Sequence, residues 1–128
     1  MPKQESINEK WDVQLRKGTL ELVILAALKT RTLYGLELLK LLHSFETMKI
    51  TEGTLYPLLD RLKRDGMVKA FWRQEGDARP RKYYQLTEQG KAKLVALTNR
   101  WRQSVADIEN LIQTPNQHTI NPEGASDV

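Results

Sequence analysis

The chain has 128 residues, of which 40% are hydrophobic and 28% charged, and its formal net charge is +4. This length fits one domain, and this composition is that of an ordinary globular protein. The chain has no cysteine, which excludes disulfides, thiolate metal sites and cysteine nucleophiles. Its two histidines, His43 and His118, are too far apart in sequence to form a cluster. We therefore expect no cofactor and no metal site.

The longest unbroken apolar run, Leu22 to Leu28, is only seven residues long. A membrane-spanning helix needs about 20. The first ten residues are polar and lack the apolar core of a signal peptide. We expect a soluble protein of the cytoplasm.

Apolar spacings of three and four predict helices in the first half of the chain. A first helix is predicted over residues 6–17, and Gly18 and Thr19 are expected to separate it from an apolar second helix ending at Leu28. A third helix is predicted from Leu33 to about Phe45, with Phe45 on its buried side. Thr51 is expected to cap a fourth helix over 52–65, whose first turn Pro57 should distort. Gly66 is expected to end this helix in the left-handed conformation. Its inward-facing residues are predicted to be Leu55, Leu58, Leu59 and Leu62.

The second half predicts a hairpin and one long helix. Val68–Arg73 and Lys82–Leu86 are rich in β-branched and aromatic residues and flank a charged turn, which is typical of a two-stranded hairpin. We call residues 68–86 the wing. Thr87 is expected to cap a helix that reaches about Gln113, and the composition of Pro115–Val128 predicts a disordered tail.

This order of elements predicts a mainly α fold with a small β-hairpin. It is a winged helix-turn-helix with an added N-terminal helix and a long C-terminal dimerisation helix. The predicted divisions are an N-terminal helix over 1–17 that braces the dimer, the winged helix-turn-helix over 18–87, the dimerisation helix over 88–114 and the tail over 115–128.

The last helix is too long for its own domain to cover. About 27 residues at a rise of 1.5 Å give a helix of about 40 Å. Its apolar seam and the stripe on the first helix therefore predict a homodimer. The predicted interface residues are Ile7, Trp11, Leu15, Leu94, Leu97, Trp101, Val105, Ile108, Leu111 and Ile112.

Four separated motifs follow one another along the chain. They are Leu33-Tyr34-Gly35, the run TEGTLYPLLDRL at 51–62, Asp65-Gly66 and the run RPRKYYQLTEQG at 79–90. Together they resemble the PadR family of bacterial transcriptional regulators over roughly Thr19 to Leu94, and in particular its short branch with a single C-terminal helix. The resemblance implies a dimeric DNA binder, usually a repressor, whose genes often concern detoxification, efflux or phenolic stress. In some short members the dimer interface also takes up flat hydrophobic compounds.

The charge distribution supports a DNA-binding interpretation. Residues 49–93 hold eleven Lys and Arg against six Asp and Glu, a net charge of +5, and the rest of the chain sums to −1. A helix start that is small and polar suits the major groove, and wing arginines suit the DNA backbone or minor groove. By resemblance, Tyr34 also contacts the DNA backbone. The predicted contacts are Tyr34, Thr51, Gly53, Thr54, Tyr56, Pro57, Arg61, Arg64, Arg73, Arg79, Arg81 and Lys82.

Three alternatives stay open at this point. Tyr34 and Tyr56 either contact DNA or tie helices together. The charged wing either contacts DNA or keeps an exposed edge from aggregating. Trp101 either fills the dimer core, with Trp11 nearby, or walls a cavity for a planar hydrophobic effector. Trp72 is assigned to the base of the wing.

Two other functions compete with DNA binding as interpretations of the sequence. No glycine-rich phosphate loop, nucleophile–histidine setting or metal-binding spacing is present, so no enzyme is predicted. The alternative function is a winged helix that binds an acidic protein partner without specific DNA binding.

Overall fold

The computed structural model describes residues 2–116, and the side chains of residues 7–116. In chain order the elements are α1 (Pro2–Ala27), β1 (Leu33–Tyr34), α2 (Gly35–His43), α3 (Glu52–Arg64), β2 (Val68–Arg73), β3 (Arg81–Leu86) and α4 (Glu88–Gln113). The strands form one antiparallel sheet in the order β1-β3-β2. The fold is mainly helical with a small sheet, which confirms the predicted winged-helix class.

The chain divides into two compact units, Met1–Thr98 and Asn99–Val128. The first contains the winged helix, and the second contains the C-terminal part of α4. Of the predicted tail, residues 117–128 lie outside the described residues. Along the described helices, none combines the length and the apolarity needed to cross a bilayer.

The predicted break at Gly18 and Thr19 is wrong, because α1 runs through both residues. The Thr19 hydroxyl donates to the Leu15 carbonyl, 3.0 Å away, so it is used inside the helix rather than as a cap. Nothing lies within 4 Å of the position of a Cβ at Gly18. The predicted first and second helices are therefore one element, and residue 17 is not a structural boundary.

The predicted two-stranded hairpin is part of a three-stranded sheet. Leu33 and Tyr34 form a short strand that pairs with Tyr84 and Tyr83 of β3 before α2 begins at Gly35. The pairing joins residues about fifty positions apart, so no local pattern marks it. It fixes the start of α2 against the wing.

Both ends of α3 are formed as the sequence predicts. At its start the Thr51 side chain accepts from the Thr54 N–H at 3.3 Å. At its end Gly66 adopts a φ of +79°, and the Met67 N–H donates to the Leu62 carbonyl at 2.9 Å. This is a Schellman ending, which only glycine adopts without strain. The helix passes Pro57 without interruption.

One core cluster holds the winged helix together. All four leucines predicted to face inward from α3 are buried: Leu55, Leu58, Leu59 and Leu62. They pack with residues of α1, α2 and the sheet. Phe45, expected on the buried side of its helix, is 56% exposed because α2 ends at His43. At the start of α4, the Thr87 hydroxyl accepts from the Gly90 N–H at 3.0 Å and so caps the helix as predicted.

Of two residues assigned to the dimer seam, Leu94 belongs to this core, whereas Leu97 lies at its edge and its place in the interface stays a prediction. Leu94 is buried in the cluster, and Leu97 packs against it half-buried. The first turns of α4 lie on the winged helix, where the protomer itself covers them. The assignment of Leu94 to the interface is therefore wrong, because its side chain has no surface left to offer a partner.

Two glycine-to-alanine substitutions are expected to change stability in opposite directions. Gly18→Ala should raise the free energy of unfolding by about 0.5–1 kcal/mol, because open space surrounds this position inside α1. Gly90→Ala should lower it by about 1–3 kcal/mol, since a Cβ there collides with the Met67 carbonyl oxygen. Urea denaturation of the two variants measures both effects. If both substitutions raised, or both lowered, the free energy of unfolding, this explanation would be contradicted.

Candidate nucleic-acid interface

The start of α3 presents a small, polar, exposed surface. Thr51, Gly53 and Thr54 are all exposed, and the two threonine hydroxyls lie 3.3 Å apart. Pro57 and Arg64 follow on the exposed side of the same helix. Because the four leucines anchor the opposite face, this surface is held outward. Its hydroxyl groups are suited to bond phosphates or base edges.

Tyr56 both ties helices together and remains accessible. Its ring lies against Gly35 at the start of α2, where any Cβ would collide with it. The side chain is nevertheless 38% exposed. Partial burial, together with the charge of Glu52, raises the pKa of Tyr56 above its ordinary value of 10.0. The phenol is therefore protonated at neutral pH and can donate a hydrogen bond.

The wing carries its arginines on one face of the sheet, stacked on tyrosine rings. Arg73 and Arg81 are paired directly across β2 and β3. The Arg73 guanidinium lies 4.1 Å from the centroid of the Tyr83 ring, and that of Arg81 lies 4.6 Å from the centroid of Tyr34. The two rings meet edge to face, with centroids 5.4 Å apart. These cation–π contacts reduce the freedom of both cations while leaving them exposed.

The remaining basic residues of the wing differ in their surroundings. Arg79 is exposed on the loop and makes no ion pair within the described part of the chain. Lys82 is half-buried, with Nζ 5.9 Å from the centroid of the Tyr84 ring. Glu75 lies 3.3 Å from Arg73 and offsets part of its charge. Among the described residues, Arg73 is thus the wing cation with a carboxylate partner, whereas Lys69, Arg79, Arg81 and Lys82 have none.

Arg61 makes contacts that its predicted role did not include. Its Nη2 lies 3.2 Å from Glu21 Oε1 on α1, and its Nη1 lies 3.9 Å from Asp65. Lys93 Nζ of α4 lies 2.6 Å from the other oxygen of Glu21. One carboxylate thus joins α1, α3 and α4. Arg61 is a link between helices first, and its use for phosphate contact stays a prediction.

The carboxyl of Glu21 titrates abnormally. Partial burial raises its pKa, but the hydrogen bonds and charges of Lys93 and Arg61 outweigh that effect. The result is a pKa below its ordinary value of 4.5. The ionised form therefore stabilises the folded chain at neutral pH.

A cleft of about 500 Å³ lies between the wing and α3. Trp72, Pro80, Arg81 and Lys82 line it from the wing, while Tyr56 and Asp60 line it from α3. Trp72 stands one residue before the end of β2, beside the wing loop, and is 69% exposed. Its assignment to the base of the wing is therefore wrong, because the base is formed by Val68 and Leu86, the buried pair at the other end of the strands.

Comparison with known proteins identifies the family. The model of the transcriptional regulator PadR-like family matches residues 24–96. The chain belongs to this family. Its PadR-like fold matches the crystal structure of a PadR family transcriptional regulator from Eggerthella lenta, with a TM-score of 0.77, 30% identity and coverage of 90% of this chain and all of that one.

Two further relatives agree with this placement. The PadR-like transcriptional regulator of Bacillus cereus matches with a TM-score of 0.74 and 29% identity, covering 80% of this chain and 99% of that one. An uncharacterized protein of Lysinibacillus sphaericus is 30% identical over 98 residues, which span 75% of this chain and 86% of that protein. The PadR-like chain is thus a DNA-binding transcriptional regulator.

Apart from Leu94 and Leu97, the residues of the predicted dimer seam are exposed in each unit of the PadR-like chain. In the first unit, Ile7, Trp11 and Leu15 of α1 are 46–60% exposed. In the second unit the exposed seam residues of α4 are Trp101, Val105, Ile108, Leu111 and Ile112. The interface and the planar effector at Trp11 and Trp101 stay predictions. The described residues contain no group of His, Asp or Glu that could hold a metal ion.

Three residues that shape this PadR-like surface were not predicted in these roles: Tyr83 and Glu21 were not singled out from the sequence, and Trp72 was assigned to the base of the wing. Tyr83 supports Arg73, and its signal was the alternation of β3, which places residues 81 and 83 on one face. Trp72 faces the cleft by the same alternation, through its pairing with Lys82. Glu21 had no signal, because its partners on α3 and α4 are distant in sequence.

Replacing Glu21 by glutamine should destabilise the PadR-like chain in a pH-dependent way. At pH 7 we expect Glu21→Gln to lower the free energy of unfolding by about 1 kcal/mol, because two cations lose their shared carboxylate. The difference from wild type should shrink as the pH falls below 4.5 and the native carboxyl takes up a proton.

Denaturation at several pH values measures this effect. The matched control is Glu88→Gln, whose ion pair with Lys91 lies on the surface, and which should leave stability almost unchanged. If the difference in the free energy of unfolding between Glu21→Gln and wild type stayed constant from pH 7 to pH 3, the role of the ion pairs would be contradicted.

Proposed function

We propose that this PadR-like regulator is a cytoplasmic repressor that binds a short inverted repeat as a homodimer. The observation that carries the proposal is the arrangement of two exposed surfaces in one compact unit. The hydroxyl-rich start of α3 and the unpaired cations Arg79 and Arg81 of the wing both belong to it. A major-groove helix and a basic wing together supply base contacts and backbone attraction.

The exposed apolar residues support the homodimer. Leu111 and Ile112 are 74% and 70% exposed, and Trp11 is 60% exposed. Large apolar side chains recurring along one helix stripe are unfavourable in water, and burial against a second copy removes them from it. A two-fold dimer presents two α3 helices, and half-sites about 34–36 Å apart place them in successive major grooves.

The direct test is binding to the DNA upstream of the protein's own gene. A mobility-shift assay at about 0.15 M salt should show affinity there at least about a thousandfold above that for random duplex of equal length. Equal affinities would remove specific regulation. A dimer that bound neither duplex would instead favour the protein-binding alternative. Reduced expression of a reporter under the bound promoter tests the repressor role.

Removing the unpaired wing cations should weaken binding to every sequence. Arg79→Ala and Arg81→Ala each remove one phosphate-neutralising charge, so the slope of log K against log salt should fall in magnitude by about 0.9 per residue. Titrations of both duplexes from low to high salt measure this slope. The control is Arg16→Ala on α1, because the Arg16 guanidinium donates to the Thr47 carbonyl and is not among the predicted DNA contacts. An unchanged slope in both wing variants would exclude the wing from the interface.

A charge on the exposed stripe of α4 should dissociate the dimer. Trp101→Asp places a carboxylate in the proposed apolar seam, and burying it unpaired is strongly unfavourable. Sedimentation should show monomer or aggregate where the wild type is a dimer. Val95→Asp is the matched control, because Val95 is 61% exposed on α4 outside the predicted seam. A dimer that survives Trp101→Asp would refute this placement of the interface.

A further inference from the structure

The cleft between the wing and α3 carries exposed apolar side chains beside its charged ones. Trp72 is the most exposed aromatic side chain in the described part of the chain, and Leu36, which also lines the cleft, is 43% exposed. Neither residue is used by the contacts proposed above. An exposed indole beside a basic surface therefore indicates that a binding partner covers this cleft.

Trp72 contributes little to the fold itself. On the inner face of the sheet, the pairs Val68–Leu86 and Ala70–Tyr84 lie in or against the core, and Trp72–Lys82 is the next pair beyond them. The indole N–H donates no hydrogen bond within residues 7–116. A smaller or polar residue at this position would leave the core intact.

We propose that the sugar–phosphate backbone of one DNA strand crosses this cleft and that Trp72 packs against it. The inference rests on the proposed function, which places α3 in a major groove and the basic wing against the DNA backbone beside it. The strand that borders this groove then passes between α3 and the wing. The face of the indole suits the C–H surface of a deoxyribose, and its N–H can donate to a phosphate oxygen.

The charges along the cleft are complementary to such an occupant and orient it. Arg81 and Lys82 lie on the wing side, whereas Asp60 lies on the α3 side. Phosphates are attracted to the former and repelled by the latter, so they lie along the wing. The net charge of +5 over residues 49–93 favours a polyanion over a neutral ligand.

Contact with the backbone carries no base information, so Trp72 positions the protein without specifying sequence. Trp72→Ala should weaken binding to the upstream duplex and to random duplex alike, each by about tenfold. Because no charge is removed, the salt slope should stay at its wild-type value. Trp72→Phe retains a flat ring and should recover most of the affinity. Arg81→Ala is the contrasting variant, in which the slope falls.

Fluorescence reports the contact directly, since the chain has three tryptophans. In the double variant Trp11→Phe/Trp101→Phe, Trp72 is the sole emitter, and bound DNA should reduce its quenching by acrylamide by at least about twofold. The matched protein is Trp72→Phe, which retains Trp11 and Trp101, and its quenching should not respond to DNA.

The outcomes separate this inference from the proposed function. If the wild type binds DNA but Trp72→Ala keeps full affinity, or if the quenching of Trp72 does not change on binding, the proposed backbone contact is overturned. The proposed function as a regulator is then unaffected. A loss confined to the upstream duplex also overturns it, because that result indicates base readout. Failure of the wild type to bind any duplex overturns both.

Discussion

Burial of one face of α3 is the constraint on which the rest of the structure depends. Leu55, Leu58, Leu59 and Leu62 are enclosed by α1, α2 and the sheet, and each buried leucine contributes about 1.5–3 kcal/mol. Fixing that face leaves the helix no freedom to rotate about its axis. The hydroxyl-rich start of α3 is consequently held outward, and every DNA contact proposed for this helix follows from that orientation.

Electrostatic contacts order side chains in two places, the wing and the site where Glu21 joins α1, α3 and α4. Tyr34 and Tyr83 support Arg81 and Arg73 from below, so the cations are partly ordered before any phosphate arrives. By contrast, Glu21 pairs with Arg61 and holds its guanidinium against α1, so this cation is engaged within the protein. The same residue type therefore serves two purposes in one small domain, depending on whether its partner is an aromatic ring or a carboxylate.

In the two proposals, separate parts of the surface attract DNA, position the protein on it and recognise its bases. Arg79 and Arg81 supply attraction to any duplex, while the start of α3 supplies the groups suited to base edges. Trp72 completes this division as an uncharged residue at the place where the strand is proposed to pass. In the proposed homodimer, held by exposed apolar residues on α1 and α4, two half-sites would raise affinity without enlarging either protein surface.

Local chemistry made much of the fold predictable from the sequence. The Thr51 cap, the Gly66 ending, the inward leucines of α3, the wing strands and the Thr87 cap each depend on residues within a few positions, and all are present. Four motifs also predicted the family. The candidate site was predictable to the same extent, because the polar start of α3 and the wing arginines are local patterns.

The errors arose where distant residues decide the outcome. At Thr19 the signal of a helix start was overridden, because α1 runs on without a break and the hydroxyl bonds back to the Leu15 carbonyl. The β1 strand exists only because β3 lies beside it, and Leu94 is buried only because α4 begins against the core. The ion pairs of Glu21 and the exposure of Trp72 are of the same kind. Sequence by itself determined α3, the two wing strands, α4, the caps at Thr51 and Thr87 and the distribution of charge. Only the tertiary structure decided which side chains meet, because those contacts join segments that no local pattern connects.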